Sequence, residues 1–89
     1  MNFEERYSVW AQKELKHVDF EIAIKIFEFL ESLKENPFPS KAKRCKNPEY
    51  NENIFEVNIE NYRILYEILF KEKIILIHKI EKLFFRESS

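Results

Sequence analysis

The chain has 89 residues, of which 45% are hydrophobic, and this length is enough for one hydrophobic core but too short for two. We therefore expect residues 1–89 to form a single domain. Its 15 basic and 16 acidic residues nearly cancel, so the whole chain has no field that would draw it to a polyanion, and a nucleic-acid site has to be a local patch.

No segment looks like a signal peptide or a membrane span. The N-terminus carries Glu4, Glu5 and Arg6, and the most apolar stretch, residues 74–77, is far shorter than the ~20 apolar residues that cross a bilayer. The single cysteine, Cys45, excludes an internal disulfide and suits a reducing compartment. We expect a soluble, cytoplasmic protein that does not contact a membrane.

The first half of the chain is predicted to be mainly helical. Alternation over residues 3–7 predicts a short strand, and residues 9–17 favour a helix. Asp19 is suited to cap a second helix that runs to residue 34, where the sequence Asn-Pro-Phe-Pro of residues 36–39 ends it. The apolar stripe of this helix consists of Phe20, Ala23, Ile26, Phe27, Leu30 and Leu33.

Aromatic residues of this half are expected to contribute to packing. We expect Tyr7, Trp10 and Phe20 to lie between the helices and the sheet. The pair Phe84-Phe85 near the C-terminus is expected either to dock on the core or to form an exposed patch for a partner.

The second half is predicted to be rich in strands. Residues 40–53 lack periodicity and are predicted to form a long loop, and three β-rich runs follow at residues 54–59, 62–70 and 73–79. Their links are so short that the runs can pair only as antiparallel neighbours, and the last run is apolar on both faces, which places it inside the sheet. Because the chain has no glycine, Asn58 or Asn61 is expected to supply any left-handed turn residue.

The most informative segment is Asn-Tyr-Arg-Ile-Leu-Tyr at residues 61–66. In a strand, its alternate apolar residues face the core and Arg63 lies on the opposite face. An arginine on an uncovered face of a sheet can hold a phosphate through two parallel hydrogen bonds. The alternative is an ion pair across the sheet with Glu56 or Glu67.

Several motifs in this order resemble the RelE/ParE superfamily of bacterial and archaeal toxins. They are Lys13-Glu14-Leu15, the segments at residues 29–33 and 35–39, the Tyr-Arg-x-x-Tyr motif of residues 62–66 and the apolar final strand. The resemblance covers almost the whole chain. It implies an α+β fold with an N-terminal strand and a two-helix hairpin, the hairpin being packed on one face of a small, mainly antiparallel four-stranded sheet.

The resemblance also implies a toxin of a type II toxin–antitoxin system, held inactive by a cognate antitoxin that wraps it with an amphipathic helix. Toxins of the RelE branch are mRNA interferases, which are endoribonucleases that cut mRNA in the ribosomal decoding site without a metal or another cofactor. On this resemblance Arg63 holds the scissile phosphate, and Arg86 is the nearest counterpart of a second family arginine. Lys79 and Lys82 would supply further positive charge.

Other candidate residues follow from charge and position. The basic residues of the long loop are candidates for binding the backbone of ribosomal RNA, although such loops are also common on soluble proteins; they are Lys41, Lys43, Arg44 and Lys46. Glu56 and Asn58 stand where RelE-type nucleases usually present basic residues, and Glu56 is a candidate general base. His17, His78 and Cys45 have no partner at the spacing of a metal site or a catalytic triad.

Two functions therefore stay open. The first is a ribosome-dependent endoribonuclease built around Arg63. The second is a catalytically degenerate or ParE-like protein that acts by binding DNA gyrase or another partner without cutting RNA.

Overall fold

The computed structural model describes residues 3–39, 41–46, 49 and 53–84. In chain order its elements are β1 (Glu4–Tyr7), α1 (Val9–Leu15), α2 (Phe20–Leu33), β2 (Lys43–Arg44), β3 (Ile54–Ile59), β4 (Tyr62–Leu69) and β5 (Ile74–Lys82). The strands form one sheet in the order β1-β5-β4-β3-β2, and both helices contribute to the core on one of its faces. The predicted α+β fold is confirmed, with the short strand β2 added inside the segment that was predicted to be a loop.

The pairing of the strands fixes which residues share a face. β3, β4 and β5 form an antiparallel meander, and β1 pairs in parallel with β5, which therefore lies inside the sheet as predicted. Arg63 in the middle of the sheet lies opposite Asn58 on β3 and opposite Glu81 on β5. Directly opposed residues point to the same face of a sheet, so these three side chains are neighbours.

An irregularity in β5 changes what this strand presents. The consecutive β4 residues Leu65 and Tyr66 lie opposite Lys79 and Ile77 of β5. His78, between these two β5 residues, is therefore an extra residue in the ladder. A bulge of this kind interrupts the alternation of side chains. It allows the consecutive residues His78 and Lys79 to lie on the same face.

The two tight links of the meander use residues that were not predicted for this role. Glu60 has a φ of 53° and Lys73 a φ of 57°, whereas Asn58 lies within β3. The prediction that an asparagine would supply the left-handed residue is therefore wrong. The pair Ile59 and Tyr62 leaves Glu60 and Asn61 as a two-residue link, and the left-handed residue is the first of the two.

Helix α1 is tied to the sheet at its N-cap. Ser8 is its N-cap, and its hydroxyl accepts a hydrogen bond from the backbone N–H of Ala11 at 3.0 Å. The same hydroxyl donates to the carbonyl of His78 on β5 at 2.6 Å. One serine thus caps the helix and ties it to a central strand.

Helix α2 buries only part of the predicted stripe, namely Ile26, Leu30 and Leu33. Its buried residues are Ile26, Phe29, Leu30 and Leu33, while Phe20 is 78% exposed and Phe27 and Ile24 are also exposed. At 100° per residue, the exposed and the buried sets lie on roughly opposite sides of the helix. The sheet can cover only one of two apolar faces, and it covers the one that ends in Leu33.

The core lies between this helical layer and one face of the sheet. It is formed by the apolar residues of α2 and by the alternate residues of the meander, including Ile64, Tyr66 and Ile77. Tyr7 packs against this core, but Trp10 is 72% exposed, so the packing predicted for Trp10 and Phe20 is wrong. Among the described residues, no helix combines the length and the hydropathy that crossing a membrane requires.

Candidate phosphate-binding site

We call the face of the sheet that points away from the helices the open face. Alternation along β3, β4 and β5 places on it Glu56, Asn58, Arg63, Leu65, Glu67, Lys79 and Glu81. Leu65 is buried and belongs to the open face, whereas the charged residues around it are at least partly accessible. The predicted separation of Arg63 from the apolar core face is confirmed.

Two adjoining cavities on this side of the sheet share Arg63. The first, which we call the Arg63 hollow, has a volume of about 410 Å³ and is lined by Cys45, Lys46, Glu49, Glu56, Arg63, Leu65, Lys79 and Glu81. The second has a volume of about 430 Å³ and is lined by Lys41, Lys43, Glu56, Val57, Asn58, Arg63 and Leu83. Arg63 and Glu56 line both cavities, so this pair forms the centre of the site.

Arg63 is held by two carboxylates. Its Nε donates to Oε1 of Glu81 at 2.9 Å, and its Nη2 donates to the same oxygen. Its Nη1 lies 3.7 Å from Oε2 of Glu56. The hydrogen bond to Glu81 is the main cause that raises the pKa of the Arg63 guanidinium above its ordinary value, and the charges of Glu81 and Glu56 add to it.

The alternative reading of Arg63 as a partner in a cross-sheet ion pair is therefore partly confirmed. Glu56 is one of the two partners that were predicted, but Glu67 binds elsewhere, since its Oε1 lies 2.8 Å from Nε2 of His78. Glu81 was missed. The predicted strand ended at Lys79, and the alternation of Lys79, Ile80 and Glu81 was the signal that the strand continues.

Four of the predicted RNA-binding residues line the two cavities at Arg63. Lys46 and Lys79 line the Arg63 hollow, and Lys41 and Lys43 line the adjoining cavity. Lys43 reaches it because it lies opposite Glu56 on the open face, while the Lys41 ammonium lies 4.9 Å from the centre of the Phe29 ring.

Arg44 and Lys82 lie on the other face of the sheet. Arg44 pairs in register with Phe55, and its guanidinium carbon is 5.7 Å from the centre of that ring. Lys82 lies opposite the buried Tyr62. Neither residue is brought together with Arg63. Each directly follows an open-face residue of its strand, Lys43 or Glu81, and therefore points to the opposite face. Arg86 lies outside the described residues.

The chemistry available in the hollow is that of anion binding and proton transfer. It combines one guanidinium and two lysines with the carboxylates of Glu49, Glu56 and Glu81. Within the part of the chain that the structure describes, no three His, Cys, Asp or Glu side chains come together in a way that would hold a metal ion.

The fold is shared with solved structures of RelE toxins. It superposes on the isolated RelE toxin of Escherichia coli with a TM-score of 0.80 over 96% of this chain and 88% of that one, at 15% identity. It superposes on a chain of the RelE–RelB complex of Pyrococcus horikoshii with a TM-score of 0.79 over 92% of this chain and 96% of that one, at 18% identity.

Sequence comparison then fixes the family. The model of the ParE toxin of type II toxin–antitoxin systems matches residues 6–82. A protein of Methanocaldococcus jannaschii named "Putative toxin RelE1" is 31% identical over 70 residues, which are 79% of this chain and 78% of that protein. The chain belongs to the ParE toxin family, within the RelE/ParE superfamily, and is a toxin of the type II toxin–antitoxin class.

Proposed function

We propose that this toxin is an mRNA interferase, a ribosome-dependent endoribonuclease that cuts mRNA without a metal and acts in the cytoplasm. The observation that carries the proposal is the position of Arg63. Its side chain is 40% exposed, lies on the open face and is shared by two cavities that four lysines line. A planar cation in such a place is suited to hold a phosphodiester.

Cleavage would use the 2′-hydroxyl of the RNA as the nucleophile. That oxygen attacks the adjacent phosphorus, the bond from phosphorus to the 5′-oxygen breaks, and the products are a 2′,3′-cyclic phosphate and a 5′-hydroxyl. Glu56, whose Oε2 lies 3.7 Å from Nη1 of Arg63, would accept the proton of the 2′-hydroxyl. Arg63 would stabilise the extra negative charge of the phosphorane.

The leaving 5′-oxygen needs a proton, and Lys79 is the candidate donor. It lines the same hollow as Arg63 and Glu56 and belongs to strand β5. Lys41, Lys43 and Lys46 would contact neighbouring phosphates, which gives affinity that falls as salt rises. Arg86 remains a proposed source of further positive charge.

A cognate antitoxin is the proposed protein partner. The exposed large apolar residues of the helices are Val9 and Trp10 on α1 and Phe20, Ile24 and Phe27 on α2, and we call this set the apolar helix face. Exposed apolar surface of this kind marks an interaction site, and an amphipathic helix of the antitoxin would cover it. The structure of the P. horikoshii RelE relative is likewise that of a complex with RelB.

One observation favours a second function. Because Glu81 occupies Arg63, and because Asn58 rather than a basic residue stands beside it, the open face has fewer free cations than a strong RNA-binding surface needs. A toxin that blocks DNA gyrase or another protein by contact, without cutting RNA, would not need them.

Mapping of transcript 5′ ends after a brief pulse of expression separates the two functions. The proposed interferase predicts new 5′ ends inside translated regions within minutes, and these ends should disappear when initiation of translation is blocked beforehand. Growth arrest with an unchanged pattern of 5′ ends would contradict the proposal and support action by binding. An Arg63→Ala variant expressed to the same level serves as the control.

A further inference from the structure

We propose that Glu81 is an internal competitor for the phosphate at Arg63, and that it sets the affinity of this toxin for RNA. The inference rests on the proposed function, because it assumes that the ligand of Arg63 is a phosphodiester. It concerns a residue that is adjacent to the reaction and is not itself a catalytic residue.

The geometry of the pair carries the inference. A guanidinium binds a phosphate with two N–H groups along one of its edges. Nε and Nη2 form such an edge, and both donate to Oε1 of Glu81. Nη1 faces Glu56. A phosphate that binds along the Nε–Nη2 edge therefore has to replace the Glu81 carboxylate.

The replacement is feasible because the pair is open to solvent. The side chains of Arg63 and Glu81 are 40% and 38% exposed, so a released carboxylate can be hydrated at little cost. Lys79 lies two residues before Glu81 on the same face of β5, and it lines the same hollow. It offers the released carboxylate another cation.

Such a competitor makes binding depend on the number of contacts. A single phosphate ion gains too little from Arg63 to displace Glu81 readily. A nucleic-acid strand that also contacts Lys43 and Lys46 makes several ionic contacts at once. The inference predicts that Arg63 responds to a polynucleotide far more strongly than to inorganic phosphate.

The test is a titration of the full chain that does not depend on cleavage. The Nε–H resonance of Arg63 is followed by NMR while inorganic phosphate, or a short all-2′-deoxy oligonucleotide of mixed sequence, is added. Glu81→Gln keeps the shape of the side chain and removes its charge. Glu72→Gln makes the same change of charge on an exposed residue of the β4–β5 link and is the matched control.

We expect Glu81→Gln to bind both probes at Arg63 about fivefold more tightly than the unmodified chain at low salt. The gain should shrink as salt rises, and Glu72→Gln should bind within about twofold of the unmodified chain. Truncation to Glu81→Ser should change the affinity in the same direction as Glu81→Gln.

Equal or weaker binding by both Glu81 variants, with folded spectra, would overturn the inference. If they bind no more tightly while the unmodified toxin cuts mRNA, the inference fails and the proposed function survives. If they bind more tightly while no variant cuts mRNA, the competition at Arg63 stands and the proposed reaction fails.

Discussion

Arg63 and Glu81 lie directly opposite each other on β4 and β5, and the guanidinium donates two hydrogen bonds to one carboxylate oxygen. These hydrogen bonds hold the guanidinium on the open face, where its charge is paired with that of Glu81. Exposed ion pairs of this type stabilise a fold little. We expect the main consequence of the pair to be competition between Glu81 and a phosphate for Arg63.

Glu56→Gln tests the proposed general base. The change removes the proton acceptor but keeps a polar side chain at the same position, so cleavage of ribosome-bound mRNA should fall about 100-fold in a single-turnover assay. Binding of RNA should stay equal or improve, because a negative charge 3.7 Å from the Arg63 guanidinium is lost. Cleavage within a few-fold of the unmodified rate would remove Glu56 from the mechanism.

Phe20→Ser tests the apolar helix face. Since Phe20 is 78% exposed, the free energy of unfolding should change by less than about 0.5 kcal/mol. Affinity for the protein encoded by an adjacent antitoxin reading frame, measured by calorimetry, should fall at least about tenfold. Ile26→Ala, on the buried side of α2, is the contrasting variant and should lower the free energy of unfolding by about 2 to 5 kcal/mol. Unchanged affinity of the Phe20 variant would place the antitoxin elsewhere.

Tyr66→Phe should change how stability depends on pH. Burial raises the pKa of Tyr66 above its ordinary value of 10.0, so the folded state favours the neutral phenol. The stabilisation of the folded state by this preference is complete below pH 10 and is lost as the pH rises above that value. We expect the free energy of unfolding, measured in urea between pH 9 and 11.5, to fall less steeply with pH for the variant than for the unmodified chain. The two slopes should differ by up to about 1.4 kcal/mol per pH unit.

The same variant should also be less stable at neutral pH. It lacks the hydrogen bond of 3.2 Å from the Tyr66 hydroxyl to the Pro37 carbonyl, which is worth about 1 kcal/mol. If the free energy of unfolding falls with pH at the same slope in both proteins, the Tyr66 phenol has the same pKa in the folded and the unfolded state, and the prediction is wrong.

Lys73→Gly should stabilise the fold. Lys73 has a φ of 57°, which is unfavourable for a residue with a side chain, and its backbone hydrogen bonds do not depend on that side chain. We expect the free energy of unfolding to rise by about 0.5 to 1 kcal/mol, after allowing for the greater freedom of glycine in the unfolded chain. Lys71→Gly, in the same link but without a positive φ, should instead lower it.

Local patterns in the sequence predicted the face of Arg63 and the bounds of β3, because both depend only on alternation along a strand. They did not predict Glu81 as a partner, because the last strand was predicted to end at Lys79 and because the register that sets Glu81 opposite Arg63 is a long-range property. They also could not decide the orientation of α2, which is apolar on two sides. That choice depends on which side the sheet covers, and this is a long-range property.

The most direct test of the central role of Arg63 is the rate at which Arg63→Ala cleaves an mRNA held on purified ribosomes. Lys71→Ala, which removes the same charge from an exposed site outside the hollow, is the control, and circular dichroism checks that both variants fold. We predict that Arg63→Ala lowers the single-turnover rate at least about 100-fold while the control stays within about twofold. A rate for Arg63→Ala close to that of the control would contradict the account.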